Sequence, residues 1–169
     1  REIEAALQEH RIDLGLVEGI CRLPNLRYTT FLQDELVAVV HTGSKLSLPD
    51  EITPEDLSRI PLVLRERGSG TLDVFERALS EHNMKLSSLN VLLYLGSTES
   101  IKLFLEHTDC IGIVSIRSIS HELLSGTFRV IEIKGMPMLR EFCFAQPQGQ
   151  ESGLSQVLMQ FATVSYTHL

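Results

Sequence analysis

Apolar positions along this chain come as short continuous runs that alternate with helical stripes. Pro61-Leu62-Val63-Leu64 and Val91-Leu92-Leu93-Tyr94-Leu95 are runs of strand length. Leu72, Phe75 and Leu79 follow the first at helical spacing, and Ile101, Phe104 and Leu105 follow the second. The polar stretches between are Arg65-Glu66-Arg67-Gly68-Ser69-Gly70-Thr71 and Gly96-Ser97-Thr98-Glu99. Each unit therefore predicts a strand, a tight turn and a helix start. A third unit runs from Ile111-Gly112-Ile113-Val114 through Ile116, Ile119 and Leu123 to a stop at Gly126.

The flanks are simpler. A helix runs to about His10 with Ile3, Ala6 and Leu7 on one face, and Leu14 to Val17 reads as a short buried strand followed by a loop to Asn25. Tyr28 to Leu32 is extended, and Glu35 to His41 is a separate strand. Thr53-Pro54-Glu55-Asp56-Leu57 opens a short helix, with Thr as cap and Pro at the first position. Phe128 to Ile133 alternates with period two, Glu141 to Ala145 is another strand, and Leu154, Val157, Leu158 and Phe161 predict a last amphipathic helix. The tail from Val164 to Leu169 continues none of these patterns. Strands alternating with helices imply an α/β fold with doubly wound, mainly parallel sheets. Linkers at Thr42–Ser47 and Lys134–Met138 divide the chain into an outer lobe, 1–44 with 138–169, and an inserted middle lobe, 45–137.

With 169 residues the chain can bury one or two real cores. Its net charge of −7 argues against nucleic-acid binding by this segment, because phosphate backbones demand basic patches. Cys21, Cys110 and Cys143 are far apart and odd in number, which points to reduced thiols in a cytosolic setting. No apolar stretch approaches a membrane span.

The two Ser/Thr turns are the candidate chemistry. A helix start carries unpaired N–H groups and partial positive charge, which suits a carboxylate, sulfate or phosphate. Ser69, Gly70 and Thr71 on the first turn and Ser97 and Thr98 on the second are therefore candidate ligand contacts. Helix capping is the plainer role for the same hydroxyls. Arg65 and Arg67 flank the first turn, and Arg67 is taken as a source of positive charge for an anion. Glu18, after the Leu14–Val17 strand, could accept a hydrogen bond from a ligand hydroxyl or amine. Gly68-Ser69-Gly70 is not a G-x-S-x-G nucleophile elbow, so no catalytic residue is assigned. Thr42-Gly43-Ser44-Lys45 lacks the spacing of a phosphate loop, and the six histidines show no metal-ligand spacing. No cofactor is expected.

The chain resembles the effector-binding domain of LysR-type transcriptional regulators. The resemblance is carried by Arg11-Ile12-Asp13-Leu14-Gly15-Leu16-Val17-Glu18, Asp34-Glu35-Leu36-Val37-Ala38-Val39-Val40, Asp56-Leu57 through Leu64, Gly68-Ser69-Gly70-Thr71, Ser97-Thr98-Glu99-Ser100-Ile101-Lys102, Ile111-Gly112-Ile113-Val114-Ser115 and Glu122-Leu123-Leu124-Ser125-Gly126. Each piece is degenerate; their order over nearly the whole chain is specific. The resemblance implies two periplasmic-binding-protein-like lobes joined by two crossover strands, a small effector between them, and a cytoplasmic, dimeric or tetrameric protein. It further implies that DNA is bound only through an N-terminal winged helix-turn-helix preceding this segment. A first strand and its loop would also precede the opening helix. The ligand that the turns favour is a carboxylate or an inorganic oxyanion. A solute-binding protein of a transport system shares the two-lobed fold and stands as the alternative, with a small enzyme on the same scaffold behind it.

Overall fold

The computed structural model describes residues 2–18, 22–149 and 152–167. The chain forms two compact units, residues 1–33 with 140–169 and residues 34–139. The boundaries of these units fall at 33/34 and 139/140. The reason is the strand Leu26–His41 (β2), which runs unbroken through the residues taken as two strands. Its second half, Leu36 to His41, pairs inside the second unit. The charge at Asp34 does not mark a turn: the side chain is buried and accepts a 2.8 Å hydrogen bond from the Ser115 hydroxyl.

In the first unit, Glu2–Gln8 (α1) stops short of His10, which takes a positive φ of 56°. Gly15–Glu18 (β1) pairs antiparallel with Met138–Pro147 (β8), in register from Gly15 with Ala145 to Glu18 with Phe142. Leu7, Val17, Leu26, Cys143 and Ala145 form its core. β1 is buried on one face only, and Leu16 is exposed. Gly153–Thr167 (α5) is a helix as its pattern predicts, and it carries the tail to Thr167. Its apolar stripe faces outward: Leu154, Val157, Leu158 and Phe161 are exposed, while Ser155 is buried. Periodicity locates a stripe and does not say which side the neighbours cover.

The second unit is built around parallel strands Leu62–Arg65 (β4), Val91–Leu95 (β5) and Ile111–Ser115 (β6). β4 lies between the other two, and β2 joins antiparallel beyond β6. Phe128–Ile133 (β7) pairs antiparallel with the far end of β2 and parallel with the two-residue strand Glu51–Ile52 (β3). The sheet is thus parallel at its centre and antiparallel where the long strand β2 enters.

Helices cover both faces, as a doubly wound sheet requires. Gly70–Glu81 (α2) packs Leu72, Phe75 and Leu79 against Leu62 and Leu64. Thr98–His107 (α3) packs Ile101 and Leu105 against Val63 and Val114 on the opposite face. The approach of α3 is close: a Cβ on Gly112 would lie 2.9 Å from the Ile101 side chain, so any larger residue there must displace it. The third unit continues as a 3-10 turn, Ile116–Ile119, and Ser120–Ser125 (α4), closing at Gly126 as expected. Pro54–Arg59 is a 3-10 helix, and the Thr53 N–H donates to the Asp56 carboxylate at 2.9 Å.

Candidate functional site

The two turns end up side by side because β4 and β5 are neighbours in parallel register, Arg65 opposite Leu95. The Glu66 N–H donates to the Leu95 carbonyl at 3.0 Å and ties the start of one turn to the end of the other strand. Gly68 turns the chain with φ of +89°, a conformation costly for any residue with a Cβ. Ser69 then caps α2, its hydroxyl accepting from the Leu72 N–H at 3.2 Å. Gly70 is half-buried and Thr71 is buried with a polar partner of its own.

On the second turn Ser97 is the cap. Its hydroxyl accepts from the Ser100 N–H at 3.1 Å and shares a 2.8 Å hydrogen bond with the Ser100 hydroxyl. Thr98 is half-buried, and among the described residues its hydroxyl has no hydrogen-bond partner. The adjacent hydroxyls have therefore divided: one satisfies the helix, and the other is uncommitted. Since α2 and α3 cover opposite faces, the two helix starts diverge from one strand edge, where open α/β sheets form a ligand crevice.

Charge around this edge is unevenly available. Arg65 is held by a bidentate pair of hydrogen bonds to Glu66, at 2.9 and 3.0 Å, which pull the Glu66 carboxyl below its ordinary range. Arg67 is exposed and makes no ion pair among the described residues. Behind the second turn, Lys102 bridges Glu99 at 3.2 Å and Glu122 at 2.8 Å and so ties α3 to α4. Burial alone would lower the Lys102 ammonium, but the hydrogen bonds to Glu122 and Glu99 outweigh it and the group titrates above its ordinary value. The same bond to Lys102 holds Glu122 below the usual carboxylate range, against burial.

Sequence reasoning missed a third hydroxyl at the same edge. Ser115, at the end of β6, caps the following 3-10 turn by accepting from the Arg117 N–H at 3.2 Å, and it donates to Asp34. The clue was available: a strand ending in Ser before a turn, as at Ser69 and Ser97. Ser69, Gly70, Thr71, Ser97 and Thr98 thus share one edge of the second unit. Glu18 belongs to the first unit, where its carboxylate lies 3.8 Å from Arg140, whose guanidinium stacks 4.9 Å above the Phe142 ring.

Among the described residues no group of three or more His, Cys, Asp or Glu side chains could hold a metal ion. Cys110 and Cys143 are buried and free, and Cys21 lies outside the described residues. Burial, with the neighbouring Asp109 charge, pushes the Cys110 thiol up to about 11. No described helix is long and apolar enough to cross a membrane.

Comparison with known proteins places this geometry. Residues 1–164 match the LysR substrate binding domain. The HTH-type transcriptional regulator YeiE of Escherichia coli (strain K12) is 32% identical over 133 residues, covering 79% of this chain and 44% of that protein. The HTH-type transcriptional activator CmpR of Synechocystis sp. (PCC 6803) is 29% identical over 144 residues, covering 85% of this chain and 45% of its own. The chain thus spans about half the length of the curated relatives it matches. The CcmR regulatory domain of Synechocystis PCC6803, solved in complex with 2-PG, superposes with a TM-score of 0.78 at 23% identity, over 99% of this chain and 80% of that one. That likeness establishes the periplasmic-binding-protein-like fold. The matched family consists of regulator domains and is not an enzyme class. The chain belongs to the LysR substrate binding domain family.

Proposed function

We propose that this chain is the sensor of a cytoplasmic transcription regulator and binds a small anion, most simply a carboxylate or an inorganic oxyanion, at the edge formed by Ser69–Thr71 and Ser97–Thr98. One observation carries the reading: two capped helix starts stand at the ends of adjacent parallel strands, with the Thr98 hydroxyl uncommitted between them. Arg67, which makes no ion pair among the described residues, supplies positive charge nearby, which a chain of net charge −7 needs if it is to attract an anion. A protein of the same fold holds 2-PG, which agrees with a small-molecule ligand. The winged helix-turn-helix that reads DNA lies outside this segment. Occupancy acts on it only as far as the ligand binds one arrangement of the regulator better than another.

We further propose that the full regulator self-associates through the β5 edge. β5 ends the sheet order, and Leu92, Leu93 and Tyr94 on it are exposed, as is Leu103 on α3. An exposed apolar edge strand invites pairing with another chain.

Thermal melts in inorganic sulfate, inorganic phosphate and a series of small carboxylates, against sodium chloride at equal ionic strength, test the anion reading. A bound ligand at a hundred times its Kd raises stability by about 2.7 kcal/mol. At least one anion should raise the melting temperature, and Arg67→Ala should lessen the rise. If none does, the reading fails.

A further inference from the structure

We infer that His82 is a proton-operated latch that pins the segment between β7 and β8 to the end of α2. The ring meets a backbone oxygen on each side. Nδ1 lies 3.0 Å from the Ala78 carbonyl, and Nε2 lies 3.0 Å from the carbonyl of Gly135, fifty-three residues away. A neutral imidazole carries one N–H and one lone pair, whereas an imidazolium carries two N–H groups. Carbonyl oxygens only accept. Both contacts are therefore hydrogen bonds only when the ring is protonated, and in the neutral ring one nitrogen sets its lone pair against an oxygen.

Each oxygen has use for the ring. Ala78 is among the last four residues of α2, whose carbonyls lack a next turn of helix. The His82 N–H, which would serve Ala78 in a continuing helix, turns to Leu79 at 3.0 Å instead. Gly135, with φ of +69°, sits in a turn closed by the Met136 N–H on the Ile133 carbonyl at 3.1 Å. Among the described residues the Gly135 carbonyl has no donor besides His82. His82 is also the C-cap of α2, where the helix dipole favours a cation.

Beyond the turn the segment lies along α2: Met136 and Met138 are buried in the core beneath that helix, and Pro137 and Leu139 line a groove with Val74 and Ala78. Packing holds that part, so the turn at Gly135 is what the latch governs. The charged side chains on the elements meeting at His82 are Arg77 and Glu81 on α2, Lys85 after it, Glu132 and Lys134 at the end of β7, and Glu51 on β3. Among the described residues none of them forms an ion pair, with His82 or with one another. Histidine is the side chain whose charge ordinarily changes between about pH 5 and about pH 8. Proton uptake in that range fastens Gly135, and proton release frees it. The latch sits at the opposite end of α2 from Ser69, so it does not rest on the anion reading.

Amide hydrogen exchange of Met136, whose nitrogen is bonded to the Gly135 carbonyl carbon, is read by NMR at about pH 5.5 and about pH 8. The 169-residue chain is compared with His82→Gln, which is neutral at both. After correction for the intrinsic pH dependence of exchange, Met136 protection should be about threefold or more higher at the acid end in the parent, and equal at the two ends in His82→Gln. The ring nitrogens of His82 should show the matching 15N shifts of an imidazolium at the acid end and the split shifts of a single tautomer at the other. His82→Asn repeats the comparison if His82→Gln does not melt cooperatively. Equal Met136 protection at both ends in the parent, the same pH response in the variant, or a ring that keeps one nitrogen unprotonated at the acid end each overturn the latch.

Discussion

Ser97 and Thr98 are adjacent hydroxyls with different tasks, and exchanging each in turn separates capping from ligand contact. Ser97→Ala removes the acceptor for the Ser100 N–H at 3.1 Å. A lost Ser cap costs about 1 kcal/mol, within a range of about 0.5–2. For a chain of 169 residues that is a drop of roughly 2–4 °C in melting temperature. Thr98→Val keeps the shape and removes a hydroxyl that has no hydrogen-bond partner among the described residues. Its stability should stay within about ±0.5 kcal/mol of the parent. Ligand affinity should reverse the order. A hydrogen bond to a charged ligand contributes about 1.5–3 kcal/mol, so Thr98→Val should weaken the best anion by roughly tenfold to a hundredfold. The assay is a thermal melt and a calorimetric titration on each variant with that anion. A Thr98→Val variant that melts like the parent and binds like it would remove Thr98 from the site. A Ser97→Ala variant of unchanged stability would refute the capping assignment on which the contrast depends.

Three further outcomes are expected. Glu122 titrates below its ordinary 4.5 and Lys102 above its ordinary 10.5, so their bond stabilises fully between those values. It is lost as pH falls through the folded Glu122 value or rises through the folded Lys102 value. Lys102→Met should therefore lower the melting temperature near neutrality and flatten its decline between about pH 6 and about pH 3; an unchanged acid slope refutes this. Leu93→Lys on β5 should convert associated protein to monomer by light scattering, and an unaltered mass would clear that edge. With a thiol near 11, Cys110 is roughly one-thousandth thiolate at pH 8, so iodoacetamide should leave it intact in the folded chain while labelling it rapidly in denaturant. Fast native labelling, read by mass spectrometry of the Cys110 peptide, contradicts this burial.

The three β–α units were legible because a buried parallel strand is apolar throughout and its helix repeats every three or four residues. Leu62 to Leu64 and Leu72, Phe75 and Leu79 show both periods without ambiguity. The turns were legible because Gly68 and the Ser caps have local roles that composition reveals. What escaped depends on partners distant in sequence. Asp34 looks like a surface acid until Ser115, eighty-one residues away, bonds it. For the same reason β2 read as two strands. The outward stripe of α5 is a similar case, since amphipathicity is a property of the helix and burial is a property of what surrounds it. The uncommitted Thr98 hydroxyl was foreseen only as one of a pair, because choosing the cap requires backbone geometry.

The Ser115 hydroxyl serves two customers with one oxygen: its proton goes to Asp34 and a lone pair takes the Arg117 N–H. Position 115 is therefore less forgiving than 69, where the hydroxyl accepts from the Leu72 N–H alone among the described residues. Cysteine is too weak a donor, and alanine removes one partner of the Asp34 carboxylate together with the acceptor of the Arg117 amide. Threonine alone keeps both bonds within reach, at the expense of fitting a methyl group beside β2. A saturation library scored for folding should show this as a gap of different width at the two serines: broad tolerance at 69, and a near-binary choice at 115.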